Sequence, residues 1–501
     1  MTINYDHPLR PQYHFTPEAN WLNDPNGMVY YEGEYHLFYQ HHPASTIWGP
    51  MHWGHAVSRD LVHWEHLPIA LYPDHNGTIF SGSAVVDWED TSGFFDGKAG
   101  LVAIYTQTLD IPDTDLSKQR QSIAYSKDNG RTWTAYAGNP VLSDERFVDF
   151  RDPKVLWHAA SARWIMVLAA GDRLCLYYST DLKEWTFASE FGEKEGSHDG
   201  VWECPDLFLL PVEGQPGSEK WVLIVSIGDD EGQPEGSRTQ YFIGDFDGVT
   251  FTNNNGPESV LWLDHGRDNY AGVTWSDAQG QGGARLLIGW MNNWKYANII
   301  PTGEWRGAMT LPRKLSLRMQ EDGIRLVQEV PRELSVMRAD RHELRDEQIK
   351  PGSNLLHSYK GELLEIEAEF ELDSALEFGF KLRMGSGNET IVGYNAVDGE
   401  LFIDRTRSGA VDFHPQFGCR HSAPLDGENG RIKLQIWVDR SSIELFANDG
   451  ALVMTDQIFP LKGAEGIELY AEGGTVWLRS LQLYPLKSVY AAANITEKAT
   501  P

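Results

Sequence analysis

Apolar residues along this chain fall in short runs that alternate with polar ones, each run bounded by Gly, Asp, Asn or Ser. Near the C-terminus Ile432, Leu434, Ile436 and Val438 share one face while Lys433 and Gln435 take the other, the period-two pattern of a half-buried strand. Comparable runs cover 363–370, 376–382, 443–446 and 467–469, with Asp439-Arg440-Ser441-Ser442 and Asn448-Asp449-Gly450 as turns. That region predicts an antiparallel sandwich. Upstream, one hairpin unit recurs. Ala56-Val57-Ser58-Arg59-Asp60-Leu61 leads to Trp64, Ala124-Tyr125-Ser126-Lys127-Asp128-Asn129-Gly130 to Trp133, and Tyr177-Tyr178-Ser179-Thr180-Asp181-Leu182 to Trp185. A worn copy, Tyr241-Phe242-Ile243-Gly244-Asp245-Phe246-Asp247-Gly248, leads to Phe251. Each is a strand, a polar tight turn and an aromatic-bearing strand. The copies recur about 50 to 70 residues apart, the scale of a four-stranded propeller blade. Further apolar runs at 101–106, 164–170 and 286–291 fill the intervals, and helical periodicity is scarce. The predicted fold is all-β: a β-propeller over 1–335 and a C-terminal antiparallel β-sandwich over 345–488. A charged stretch at 331–346 links them, and a patternless tail at 489–501 is expected to fray.

Length agrees with two domains, since 501 residues exceed one ordinary core. Charge narrows the partners: 42 Lys and Arg against 72 Asp and Glu leave a formal −30. Such a surface repels phosphate backbones and anionic lipid headgroups, so neither nucleic acid nor a membrane is expected as partner. A neutral substrate fits, and a homo-oligomer is compatible with the composition. The 18 Trp serve strand-rich cores first and sugar-stacking platforms second. Cys175, Cys204 and Cys419 form neither a disulfide framework nor a spaced zinc set. The first ten residues carry no apolar signal-peptide core, and the longest apolar run, 221–227, is too short to span a bilayer. A cytoplasmic protein is expected, or a secreted one if a leader has been removed.

Candidate chemistry concentrates in three stretches. In Trp21-Leu22-Asn23-Asp24-Pro25-Asn26-Gly27, Asp24 stands at a strand-to-turn corner, because Pro25 has a fixed φ and Asn26-Gly27 readily takes φ > 0. Taken singly, this is a capped turn, Arg151-Asp152-Pro153 a surface turn, and Trp202-Glu203-Cys204-Pro205-Asp206 a strand entrance. Together and in this order they resemble the β-fructosidase family of glycoside hydrolases (invertases, inulinases and levanases), bacterial levanases and exo-inulinases above all. The resemblance runs from about Tyr13 to about Leu486. It implies five blades, Asp24 as nucleophile, Glu203 as general acid/base, and Asp152 as stabiliser of an oxocarbenium-like transition state.

Elementary chemistry supports those roles. Propeller blades aim the starts of their innermost strands at one channel mouth, so carboxylates remote in sequence converge there. Glycoside cleavage needs a carboxylate and a carboxylic acid flanking the bond. The Asn23 amide is placed to keep Asp24 charged. Trp202, Cys204 and Pro205 are expected to give Glu203 apolar surroundings that favour its protonated form. Asp152 is expected to be ionised and to hold two ring hydroxyls. Arg151 need not pair with it, because neighbours in a strand face opposite sides. The family retains configuration, which requires the working carboxyls roughly 5–5.5 Å apart, against roughly 6.5–9.5 Å for inversion.

Motif match extends the binding set to Asn23, Arg151 and six further positions in four segments. Gln40, in Phe38-Tyr39-Gln40, carries an amide suited to paired hydroxyls. Trp48 and Trp53, in Trp48-Gly49-Pro50-Met51-His52-Trp53, offer flat apolar faces with one N–H each. Phe80 and Ser81 place a ring beside a hydroxyl, and Trp294 matches a pocket wall. The chain departs from the family at Asp268-Asn269-Tyr270-Ala271, where relatives commonly have an aromatic in place of Asn269. That change and His198-Asp199-Gly200 are expected to bear on the leaving-group side. No metal and no cofactor is expected. His41, His42, His52 and His55 lack ligand spacing, Gly280-Gln281-Gly282-Gly283 is a hairpin turn rather than a phosphate loop, and no Gly-x-Ser-x-Gly elbow is present. The expected function is an exo-acting β-fructosidase removing terminal fructose from levan, inulin or sucrose. A fructosyltransferase of the same mechanism, a sucrose-6-phosphate hydrolase and a non-catalytic sugar-binding propeller stand as alternatives.

Overall fold

The computed structural model describes residues 4–114, 116–278 and 284–490. The expected turn at 280–283 and the tail beyond Tyr490 lie outside the described residues. Five antiparallel sheets stand around one axis as the blades of a propeller. Their innermost strands are Asn20–Tyr31 (blade I), Thr78–Asp87 (II), Arg151–His158 (III), Trp202–Pro211 (IV) and Tyr270–Thr274 (V). Blade V closes on blade I by backbone bonds: Ser276 N–H donates to Met28 O and Tyr30 N–H to Ser276 O, both at 2.9 Å. The two-residue strand Trp305–Arg306 then pairs in parallel with Asn20 and Trp21.

The recurring hairpin occupies one place in the fold, between the third and fourth strands of blades I to IV. Its aspartate ties the turn. Asp60 Oδ1 accepts the amides of Val62 and His63, Asp181 those of Lys183 and Glu184, and Asp247 those of Val249 and Thr250. The next residue takes φ > 0 in every copy: Leu61 at 65°, Asn129 at 56°, Leu182 at 63° and Gly248 at 93°. Side-chain bonds to the backbone thus hold a conformation that leucine rarely adopts. Blade V makes the same hairpin between Arg313–Gln320 and Gly323–Glu329, with no aromatic in either strand. The repeat is therefore visible in sequence only four times.

Beyond the propeller, a six-stranded and a five-stranded antiparallel sheet face each other as a sandwich. Ile432, Leu434, Ile436 and Val438 enter its core, as their alternation requires. The charged stretch 331–346 holds a 3-10 helix, Arg332–Met337, and the start of an edge strand, His342–Ile349. Sandwich and propeller meet across buried charge. Arg313, fully buried, reaches Asp264 Oδ2 at 2.9 Å and Glu444 Oε2 at 2.8 Å, while His14 bridges Asp439 at 2.8 Å and Glu444 at 2.9 Å. Charges persist at such depth only when paired and hydrogen-bonded. Tyr490 stacks on Tyr5 at 4.0 Å, which brings the last described residue back to the start of the chain.

Candidate active site

Every innermost strand breaks register at the same end. Two residues oppose one on the neighbouring strand at Asn23-Asp24, Phe80-Ser81, Asp152-Pro153, Cys204-Pro205 and Ala271-Gly272. These are β-bulges, which re-aim side chains that a regular strand would send to alternate faces. Asp152, Cys204 and Ala271 take φ of 64°, 47° and 55° there, backbone strain of the kind that collects at functional sites. The five bulges lie around one channel mouth. They build a pocket of about 170 Å³ lined by Asn23, Asp24, Gln40, Trp48, Phe80, Ser81, Arg151, Asp152, Glu203 and Trp294.

Trp53 is the expected site residue that does not line this pocket. It is fully buried, its indole N–H donates to Phe80 O at 3.0 Å, and its ring packs against Phe38 and Tyr105. It supports the wall from behind, so the expected sugar contact through its face is corrected. Trp48, by contrast, is 44% exposed and meets Phe80 edge-on. Trp294 leans on Trp21 and Trp290.

Asp24 is held from three sides. The Ser81 hydroxyl donates to Oδ2 at 2.7 Å, the Asn23 amide to Oδ1 at 3.0 Å, and the Cys204 thiol stands 3.4 Å from Oδ2. Asn23 is itself fixed by the indole N–H of Trp21 at 2.7 Å, and Gln40 is fixed through its amide on Asn26 at 2.8 Å. Burial pushes the Asp24 carboxyl up and the charge of Glu203 adds to the rise. The three donors pull it back without cancelling it.

Asp152 is buried as deeply. Its Oδ2 accepts the Cys204 N–H at 3.0 Å, and its own N–H donates to the Thr106 hydroxyl at 2.9 Å. Burial raises its carboxyl to about 7, opposed by Arg151 and reinforced by Glu203 and Asp24. Close carboxylates in a dry pocket thus work against the ionised Asp152 expected from sequence, and Arg151 works for it. The bulge also turns Arg151 towards it, with Nε 4.0 Å from Oδ2.

The surroundings of Glu203 differ from the expected apolar ones. Arg151 places Nε at 3.1 Å and Nη2 at 2.9 Å from Oε1, and the Tyr270 hydroxyl donates to Oε2. Trp202 turns instead into the core, and Cys204 turns towards Asp24 and Asp152. The bulge separates Glu203 from its apolar sequence neighbours. Burial works against the charge of Arg151, but Glu203, Asp152 and Asp149 together hold it protonated above its ordinary range. Gln119 adds a bond to the same guanidinium at 3.3 Å.

Tyr270 and Cys204 belong to the site without any signal of their own in the sequence, although both lie inside 268–271 and 202–206. Asn269 is buried between them and the domain junction, and its amide donates to Asp264 at 3.0 Å. His198 stacks on Trp202 at 5.0 Å and borders a cleft of about 530 Å³ with Asp172, Asp199 and Asp230. Among the histidines, His41 bonds to Trp21 O and His55 to His36.

An all-β propeller whose mouth gathers an anchored carboxylate, a second buried carboxyl and a third gripped by Arg and Tyr defines a glycoside hydrolase. The model of the Glycosyl hydrolases family 32 N-terminal domain matches residues 14–330, and that of the Glycosyl hydrolases family 32 C terminal matches 333–485. The chain belongs to glycosyl hydrolase family 32. It is 55% identical to a levanase of Bacillus subtilis over 501 residues, covering 99% of this chain and 73% of that one. An extracellular exo-inulinase of Aspergillus niger is 41% identical over 512 residues, covering 94% and 93%. The crystal structure of exo-inulinase from Aspergillus awamori superposes with a TM-score of 0.89 at 38% identity, over 97% of this chain and all of the other.

Proposed function

We propose that this chain is a retaining exo-β-fructosidase that removes terminal fructose from levan and inulin, and from sucrose. One observation carries the reading: Asp24, with both oxygens pinned, and Glu203, held by Arg151 and Tyr270, line the same small pocket as Asp152. Asp24 attacks the anomeric carbon, C2 of fructose, while Glu203 protonates the departing oxygen. Glu203 then takes a proton from water, which displaces the sugar from Asp24. Asp152 bonds two ring hydroxyls and offsets positive charge at C2. At about 170 Å³ the pocket has room for a single sugar ring, which supports action at a chain end.

The names of the levanase and exo-inulinase relatives support a fructan substrate. A phosphorylated sugar is disfavoured, because Arg151, the one basic side chain among the described residues lining the pocket, is already engaged by Glu203 and Asp149. No described helix is long and apolar enough to cross a membrane, and relatives named extracellular favour export over the cytoplasmic expectation. Chromatography of products from levan, inulin and sucrose over time tests the reading. Free fructose is the expected sole early product from the polymers. Early oligosaccharides would overturn exo action, and no release from any of the three would overturn the whole assignment.

A further inference from the structure

The segment between the last strand pairing of blade IV, at Leu261–Trp262, and the first residue of blade V's inner strand, Tyr270, is bonded to the sandwich. Thr455 N–H donates to Asp264 Oδ1 at 2.9 Å, His265 N–H to Val453 O at 2.8 Å, and Asp268 N–H to Thr455 O at 2.9 Å. Asp268 is fully buried, and its carboxylate is the tightest knot. Oδ2 receives Arg405 Nη1 at 2.5 Å and the Gln457 N–H at 2.8 Å, while Oδ1 receives the Tyr296 hydroxyl at 2.6 Å. Arg405, fully buried too, is held in turn by Phe417 O at 2.7 Å and the Tyr296 hydroxyl at 2.9 Å. Two residues after Asp268 comes Tyr270, whose hydroxyl sits on Glu203.

We propose that Arg405, supplied by the sandwich, is a positioning residue for the acid/base centre: its ion pair with Asp268 fixes the entry of blade V's inner strand and thereby the Tyr270 hydroxyl on Glu203. The inference rests on the proposed catalytic role of Glu203. Arg405 Nη1 also lies 3.3 Å from Asp456 Oδ1, so removing Arg405 leaves two buried carboxylates without their shared cation. Asp268 then moves or takes up solvent, and the strand that begins beside it moves with it. The sandwich thus completes the active site without contributing a group to the pocket.

A mutant cycle on the full chain separates this from plain structural support. Arg405→Met is expected to lower kcat for fructose release at least tenfold with KM within twofold, and Tyr270→Phe to do the same. Because both act through one hydroxyl, the double variant should be no more than twofold slower than Tyr270→Phe alone. Arg405→Lys should recover part of the loss. Losses that multiply, or an unchanged kcat in folded Arg405→Met, would overturn the link. If Arg405→Met fails to fold, the isosteric Tyr296→Phe takes its place in the cycle, with at least a threefold loss expected and additivity again fatal. A readout independent of turnover is amide exchange at residues 271–274, expected to quicken at least tenfold in the variant that folds; unchanged exchange overturns the proposal. Normal turnover by Glu203→Gln would instead overturn the catalytic reading, and the exchange data would then decide the link alone.

Discussion

Replacing Asp152 by Asn should destroy activity and stabilise the fold, and the second effect should depend on pH in a defined direction. Asp152 is 5% exposed and its carboxyl is raised from an ordinary 3.8 to about 7, first by burial and then by the charges of Glu203 and Asp24, against Arg151. A carboxyl whose pKa is raised on folding is more easily kept protonated in the folded state. The fold therefore bears no penalty below pH about 4, a growing one between 4 and 7, and the full one above 7. That shift corresponds to an upper bound on the order of 4 kcal/mol. The Asn side chain keeps the shape and an oxygen for the Cys204 N–H, a bond of 3.0 Å in the parent. Any imperfect pairing of its NH₂ group subtracts about 1–3 kcal/mol, leaving a net gain of about 1–3 kcal/mol at pH 8. Scanning calorimetry of parent and Asp152→Asn at pH 4, 6 and 8 measures it. The midpoint should lie above the parent's at pH 8 and at or below it by pH 4, where only the cost of the NH₂ group remains, while kcat/KM falls roughly 100- to 1,000-fold. A midpoint lowered at pH 8, or a gain that persists unchanged at pH 4, would refute the claim that like charges and burial strain this pocket.

Two further outcomes follow from the same geometry. Glu203→Gln keeps the size of the side chain but removes proton transfer, so kcat should drop roughly 100- to 10,000-fold while KM changes little; a kcat within tenfold of the parent would remove Glu203 from the acid/base role. At the domain junction, burial opposes the charge of His14, but its bonds to Asp439 and Glu444 raise it from 6.5 to about 9. A raised histidine stabilises fully below pH about 6.5 and loses that contribution as pH climbs through 9, on the order of 3 kcal/mol. The melting midpoint of the parent should therefore fall between pH 7 and 10, and His14→Gln should start lower at pH 6 and show a flatter curve. An equally steep decline in the variant would place the alkaline loss elsewhere.

Much of the architecture is legible residue by residue. Alternation at 432–438 marks a strand because successive side chains must face opposite sides, whatever the rest of the chain does. The Asp60, Asp128, Asp181 and Asp247 hairpins are equally local: a carboxylate closes on amides two to four residues away. Asp24, Asp152 and Glu203 stand out through the company of Pro, Asn, Arg and Cys in short motifs. Their environment does not. Trp202 and Pro205 suggest apolar surroundings for Glu203, yet its partners are Arg151 and Tyr270, at separations of 52 and 67 residues. Trp48 and Trp53 share one motif, and only packing decides that one faces the pocket and the other the core.

Local sterics and hydrogen bonds reach a few residues, so strands, turns and the identity of the acidic groups follow from neighbours along the chain. Register belongs to pairs of strands, and none of the five bulges that point Asp24, Ser81 and Asp152 into one mouth exists until a second strand is alongside. The pairing of Asp268 with Arg405, 137 residues away, likewise needs both domains in place. Carboxylates and guanidinium groups enter a dry interior only in company, and that company is assembled by ring closure and domain docking rather than by order along the chain.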